Sequence, residues 1–338
     1  MSDASPLSLT DRARGALWGL ALGDALGMPS QTLTRDQIAQ HYGQITDFTA
    51  PFDDHPFSHG LKAAQVTDDT EQALLLARRL IAEPGRFDAV GWAKDLLAWE
   101  ADIRRRGLRD LLGPSTKAAL DAILAGVDPD EASKGGTTNG AAMRVAPIGI
   151  ATAADDIATL VDRVELSSRV THNTGEAIAG ASAVAAMIST LLDGATIASA
   201  FDTALHAATE GQKRGHRAGV PDMAARIEAA VSLARTAPGI DDFADRVGTS
   251  VASHHAVPAA FGLLVMGNGD VWSTTVMAAN IGDDTDTIGA IAGAMAGAAS
   301  GVVALPQDKL TTLRAANDLE IDRIVDGLLN LRQMGVPT

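Results

Sequence analysis

Apolar residues recur along this chain at the three-to-four spacing of helices, and alternating runs of β-branched residues are scarce. Leu74, Leu75, Ala77 and Leu80 lie on one helical face. The same periodicity predicts helices near 11–27, 35–42, 88–105, 115–125, 156–170, 174–192, 196–209, 222–236, 241–253, 255–266, 270–280, 286–302 and 318–333. Thr10 and Asp270 are residues that cap helix starts well. Pro84-Gly85, Gly113-Pro114 and Gly135-Gly136 punctuate the pattern. No fixed-period repeat and no low-complexity linker divides the chain. The expectation is a disordered tail over 1–10 and a single compact, all-α multi-helix domain over 11–338.

Two glycine ladders interrupt this pattern. Gly15, Gly19, Gly23 and Gly27 recur every four residues, as do Gly289, Gly293, Gly297 and Gly301. That spacing sets each row along one helix face. A mid-helix Gly costs about 1 kcal/mol against Ala, so a sustained row implies neighbouring helices in backbone contact.

Composition narrows the function. At 338 residues and 46% apolar, the chain can bury a large core. A formal charge of −15 and a pI near 4.8 argue against nucleic acid as a partner. The compact basic stretch Lys213-Arg214-Gly215-His216-Arg217 reads as a solvated loop. With no cysteine, disulfide and thiolate chemistry are excluded, which fits a reducing cytoplasm. The polar start lacks the apolar core of a signal peptide. Residues 287–305 carry no charge but are mostly Ala and Gly, which suits a buried helix better than a membrane span.

The candidate chemistry sits in two distant acidic clusters. The first is Thr67-Asp68-Asp69-Thr70 and the second Asp283-Asp284-Thr285-Asp286-Thr287. Each precedes a helix-patterned run, so each reads as a first helical turn. Taken alone, Thr67 with Asp68 and Asp69 is also what a well-capped helix start looks like. The second cluster has more side-chain oxygens than capping requires. Two like charges about 4 Å apart cost roughly 4 kcal/mol at an effective dielectric near 20. If the fold joins the clusters, hard cations such as Mg²⁺ or Mn²⁺ are needed.

Other motifs are weaker. Residues 135–144, from Gly135 and Gly136 through Thr137, Asn139 and Gly140 to Arg144, form a Gly-rich turn that opens a helix and can expose backbone N–H groups to phosphate. It lacks the Gly-Lys-Ser/Thr ending of a P-loop. His172, in Thr171-His172-Asn173, reads on its own as structural. Residues 51–64 lack helical pattern, contain Asp53, Asp54, His55 and His59, and are suited to cover a site. They do not supply zinc-ligand spacing.

In this order the stretches resemble the ADP-ribosylglycohydrolase family, which includes the dinitrogenase-reductase-activating glycohydrolases. The matching stretches are Gly15-Ala16-Leu17-Trp18-Gly19, Gly23-Asp24-Ala25-Leu26-Gly27, residues 67–70, residues 139–144, Thr171-His172-Asn173, and Gly282 through Thr287, spread over about 12–305. The resemblance implies an all-α fold holding two Mg²⁺ or Mn²⁺ ions. By position, the implied ligands are Thr67, Asp68, Asp69, Asp284, Asp286 and Thr287. Asp24, Gln31, Gly135, Gly136, Thr137, Asn139, Gly140 and His172 are implied to line a pocket for ribose and diphosphate. The implied reaction is hydrolysis at ribose C1 of an ADP-ribosyl conjugate or related riboside, small or protein-borne.

Three positions depart from the family pattern. Gln31 stands where many members carry Glu, and an amide cannot act as a carboxylate base. Asp283 stands where Gly is usual. Thr137 stands where some protein-directed members place an aromatic. These departures point away from serine-linked ADP-ribose. The general base then falls to Asp68 or Asp69, acting on a water activated by the metals. A non-catalytic member that binds an ADP-ribose-like ligand is the main alternative. An isoprenoid-synthase-like site is disfavoured, because Gln72 and Ile288 occupy the positions four residues beyond Asp68 and Asp284.

Overall fold

The computed structural model describes residues 7–108, 113–216 and 222–335. Among them are α1 (Leu9–Gly27), α2 (Arg35–Tyr42), α3 (Asp68–Ala82), α4 (Ala89–Arg105), α5 (Pro114–Leu124), α6 (Pro129–Ala132), α7 (Gly140–Met143), α8 (Ala146–Ala151) and α9 (Ile157–Ser168). They continue with α10 (Gly175–Leu192), α11 (Ile197–Gly211), α12 (Met223–Ala234), α13 (Ile240–Val247), α14 (Ser253–Met266), α15 (Val271–Asn280), α16 (Thr285–Ser300), α17 (Gln307–Ala316) and α18 (Ile321–Met334). No β-strand occurs among the described residues, only three isolated bridges. The fold is all-α, as expected.

The most intimate contact joins two helices far apart in sequence. Helices α1 and α16 cross through their glycine ladders, and each ladder's partner is the other. A Cβ on Gly15 would strike the Gly297 carbonyl, one on Gly19 the Gly293 carbonyl, and one on Gly23 the Gly289 carbonyl. Gly27 meets the backbone of Thr285 and Asp286. The ladders run in opposite directions, so the end of α1 lies beside the start of α16. Ser30 reinforces this end, with its Oγ 2.7 Å from the Ala279 carbonyl and 3.1 Å from Thr285 Oγ1.

Around this pair one continuous apolar core gathers residues from Ala13 to Leu331. Helix α10 is buried along nearly its whole length between α8, α9 and α11. It is long and apolar enough to span a membrane, but 94% of it lies inside the protein, as in a core helix. The uncharged run 287–305 is mostly the buried α16, which ends at Gly301 in a left-handed conformation (φ +74°).

The differences from expectation are local. Helix α1 starts at Leu9, capped by Ser8, so residues 8–10 of the expected tail belong to the helix start; positions 1–6 lie outside the described residues. The helix expected over 241–253 stops at Val247, because Gly248 turns left-handed (φ +84°). Helix α17 escaped the periodicity because only Leu310 and Leu313 of its ten residues are buried. The short α6, α7 and α8 span too few turns to show a period.

Replacing Gly19 or Gly293 with Ala should drive the two backbones apart. Overpacking of this kind costs about 1–3 kcal/mol, read as a fall in the midpoint of chemical denaturation. Gly135 has open space where its Cβ would go, so Gly135→Ala should stay within about 0.5 kcal/mol of the parent.

Candidate active site

The end of α1 and the starts of α3 and α16 converge. The acidic cluster of α3 is organised by a residue outside it. Thr67 occupies the N-cap position of α3, yet its side chain makes no capping bond. Asp24 of α1 does that work. Its carboxylate accepts from the Thr67 N–H (3.0 Å) and the Thr70 N–H (3.1 Å), and from both hydroxyls. Asp24 is fully buried. It was expected to touch substrate, and it instead lies beneath the site, fixing the helix start on which Asp68 and Asp69 ride.

The second cluster starts α16. Asp284 is its N-cap residue, and Asp286 and Thr287 follow in the first turn. Asn139 donates through Nδ2 to Asp284 Oδ2. Asp283 adopts φ +66°, a left-handed conformation that glycine reaches without strain, which accounts for the usual Gly there. Its N–H donates to the Leu33 carbonyl at 2.7 Å. Its side chain borders a neighbouring cavity formed with Thr32, Thr34 and Arg35.

An open cavity of about 440 Å³ lies over these helix starts, within the range of small-molecule sites. Asp68, Asp284, Asp286 and Thr287 line it, with Gln31, Thr138, Asn139 and Gly140. Phe57, Pro114, Met143 and Val251 give it apolar walls. Phe57 brings the 51–64 loop to the rim. That loop is held by Ser58, whose hydroxyl donates to the Met28 carbonyl and accepts from Gln31 Nε2, each at 2.8 Å.

Five carboxylates crowd this region, and burial raises the pKa of every one. Asp24 is pushed up to about 6 and Asp284 to about 7, chiefly by loss of water. Burial also lifts Asp68, Asp69 and Asp286 well above the ordinary carboxylate range. Facing charges add to it: Asp24 for Asp68, Asp286 for Asp69, and Asp284 for Asp286. The clusters therefore repel one another across the cavity, and ionising them all requires compensating positive charge. The donor set is all oxygen, which suits hard divalent cations. Among the described residues Asp69 Oδ1 is buried without a hydrogen-bond partner, so it would be free to meet a cation. Among the described residues no three His, Cys, Asp or Glu groups form a finished cage. The oxygens are spread over two helix starts, and hydroxyls would have to complete any coordination.

Behind the cavity lies one buried cation. Arg144 is almost inaccessible and sits 5.3 Å from the Trp92 ring centroid. Desolvation lowers its pKa to about 10, so it remains charged at neutral pH. One nitrogen donates to Gln72 Oε1 (2.9 Å), and Gln72 Nε2 donates in turn to Asp68 Oδ2 (3.2 Å). Another donates to Thr171 Oγ1 (2.6 Å).

Several expected pocket residues stand elsewhere. Gly135 is exposed, and Gly136 packs against the Thr171 and His172 backbone. The Gly136 N–H already donates to the Ser133 carbonyl (3.0 Å), so this turn does not offer it to a diphosphate. The Thr137 carbonyl accepts from the Ser253 N–H (3.0 Å); this residue too is outside the cavity lining. His172 is fully buried, with Gly140 against its ring. Thr67 and Asp69 lie one layer below Asp68. Periodicity offered no sign of Thr138, Phe57, Val251 or Gln72. The one available hint for Gln72 is its position one helical turn after Asp68.

A profile of the ADP-ribosylglycohydrolase family matches residues 5–337. The uncharacterized protein YegU of Escherichia coli K12 is 35% identical, over 96% of this chain and 98% of its own length. The ADP-ribosyl-[dinitrogen reductase] glycohydrolase of Rhodospirillum rubrum is 30% identical, over 96% and 97%. A solved structure titled ADP-ribosylglycohydrolase-related protein complex superposes with a TM-score of 0.69 at 24% identity, covering 96% of this chain and 99% of that one, a likeness of fold. The family match and the likeness of fold place the chain in a class of glycohydrolases. This chain belongs to the ADP-ribosylglycohydrolase family, and hydrolysis at an ADP-ribosyl linkage is the activity that membership indicates.

Asp24→Ala should uncap α3 and leave buried donors unmatched. At about 1–3 kcal/mol for each unsatisfied group, the variant should lose several kcal/mol in denaturant unfolding. Asp283→Gly, which relieves the left-handed strain, should be neutral or stabilising.

Proposed function

We propose that this cavity hydrolyses the bond between ribose C1 and a nitrogen or oxygen leaving group of an ADP-ribosyl conjugate or related riboside. The observation that carries the proposal is the convergence of two buried acidic helix starts on one open cavity. Thr67, Asp68, Asp69, Asp284, Asp286 and Thr287 would hold a pair of Mg²⁺ or Mn²⁺ ions. Such a pair supplies positive charge that fixes ribose hydroxyls and acidifies a water.

The protein's own groups then divide the work. Asp68 faces the cavity, so it is better placed than the deeper Asp69 to take the water's proton. Gln72 holds one Asp68 oxygen, which leaves the other to accept. Asn139 fixes the orientation of Asp284. Gln31 borders the cavity as an amide tethered to Ser58 and orients ligands without exchanging a proton. The apolar walls exclude bulk water from the sugar and strengthen the field of the carboxylates. The transition state has oxocarbenium character, which nearby negative charge stabilises.

Chelation should abolish turnover of ADP-ribosyl-arginine, and Mg²⁺ or Mn²⁺ should restore it. Changing a residue that supports a metal ligand costs about 10–100-fold, so Asp286→Ala should cost more than that in kcat. Wild-type rates in chelator, or unchanged rates in Asp286→Ala, would contradict the proposal. A wild type that binds ADP-ribose with metal and leaves every conjugate and simple riboside intact is instead a non-catalytic binder. Without substrate, saturating Mn²⁺ should stabilise the fold by about 2.7 kcal/mol at 100 times its Kd.

A further inference from the structure

The bonds from Arg144 form a chain with a fixed direction. The guanidinium can only donate. Thr171 Oγ1 therefore accepts from it at 2.6 Å, and the Thr171 proton must go elsewhere. The neighbour within reach is His172 Nδ1, at 2.8 Å. Thr171 is fully buried, so an unshared hydroxyl proton there would carry the cost of an orphaned donor. Nδ1 must then accept, and a neutral ring that accepts at Nδ1 carries its proton on Nε2. Nε2 lies 2.9 Å from Thr138 Oγ1. That oxygen accepts, and the Thr138 proton is left over.

Thr138 lines the cavity, and among the described residues its hydroxyl meets no other partner. We propose that the Thr138 hydroxyl donates to an acceptor oxygen of the bound ADP-ribosyl group, directed there by the chain Arg144–Thr171–His172. Thr138 thereby becomes a specificity residue, while His172 and Arg144 are positioning residues that do not touch the ligand. Burial, with the nearby Arg144 charge, holds the His172 pKa well below its usual value, in keeping with a neutral ring. The other arm from Arg144 ends by donating to Asp68. One buried cation thus sets the polarity of two cavity groups, an acceptor at Asp68 and a donor at Thr138. The ligand assignment rests on the functional proposal above; the direction of the chain does not.

Two measurements on the full chain with Mn²⁺ or Mg²⁺ test it. Long-range ¹H–¹⁵N NMR of the histidines, with Mg²⁺ and assigned through His172→Gln, should show His172 at neutral pH as a neutral ring protonated on Nε2. An Nδ1-protonated or doubly protonated ring overturns the chain. Calorimetry with ADP-ribose should show Thr138→Val weakening binding about tenfold, as expected for one lost hydrogen bond. Thr138→Ser should restore it, and Mn²⁺ affinity should be the same in all three proteins. Equal ADP-ribose affinity in Thr138→Val and wild type overturns the role of Thr138 alone. A wild type that binds no ADP-ribose overturns both that role and the functional proposal, whereas the NMR result still decides the direction of the chain.

Discussion

The backbone contact between α1 and α16 sets everything else in this structure. Glycine carbonyls meet glycine α-carbons along the crossing, so the helices cannot slide by a fraction of a turn without a clash. That rigidity has a chemical purpose. Gly27 presses on Thr285 and Asp286, which locks the level of Asp24 against the start of α16. Asp24 then caps α3 from outside and carries Asp68 and Asp69 to the same level. Groups some 260 residues apart in sequence are thus registered through small residues rather than large ones. The known cost of mid-helix glycine, about 1 kcal/mol each, is offset by this close approach.

Electrostatics makes the arrangement costly in a different way. Buried carboxylates dominate the region, and among the described residues Arg144 is the one fully buried arginine behind them. Its charge reaches the cavity through amide and hydroxyl dipoles rather than by direct ion pairing. Gln72 inserts one amide between Arg144 and Asp68, so the guanidinium polarises the aspartate without pairing with it directly. On the reading proposed above, the negative surplus over the cavity is what divalent cations would offset.

Much of this was legible in the chain before folding, and the reasons are physical. The glycine rows and the apolar faces are periodic, so they announce helices and close contact. The acidic clusters are denser than capping needs, so they announce a second role. What periodicity could not show is which helix meets which, since that is decided by long-range packing. The resemblance set Asp24 among the pocket residues, whereas its bonds to Thr67 and Thr70 make it the foundation of α3. The Gly135-Gly136 turn looked like a phosphate cradle, but its amide is spent on Ser133. His172, which reads on its own as structural and which the resemblance assigned to the pocket, is a buried link between the Thr171 and Thr138 hydroxyls. The 51–64 loop was legible as a cover, but apolar wall residues such as Val251 gave no local signal, because an exposed hydrophobe that lines a cavity looks in sequence like any other.

The central claim is that the starts of α3 and α16 share paired divalent cations. Anomalous scattering from crystals grown with Mn²⁺ tests it most directly. The account predicts two manganese peaks among Asp68, Asp69, Asp284, Asp286 and Thr287. A cavity without a manganese peak at full occupancy elsewhere in the crystal, or Asp68 and Asp286 turned away from each other, would contradict it.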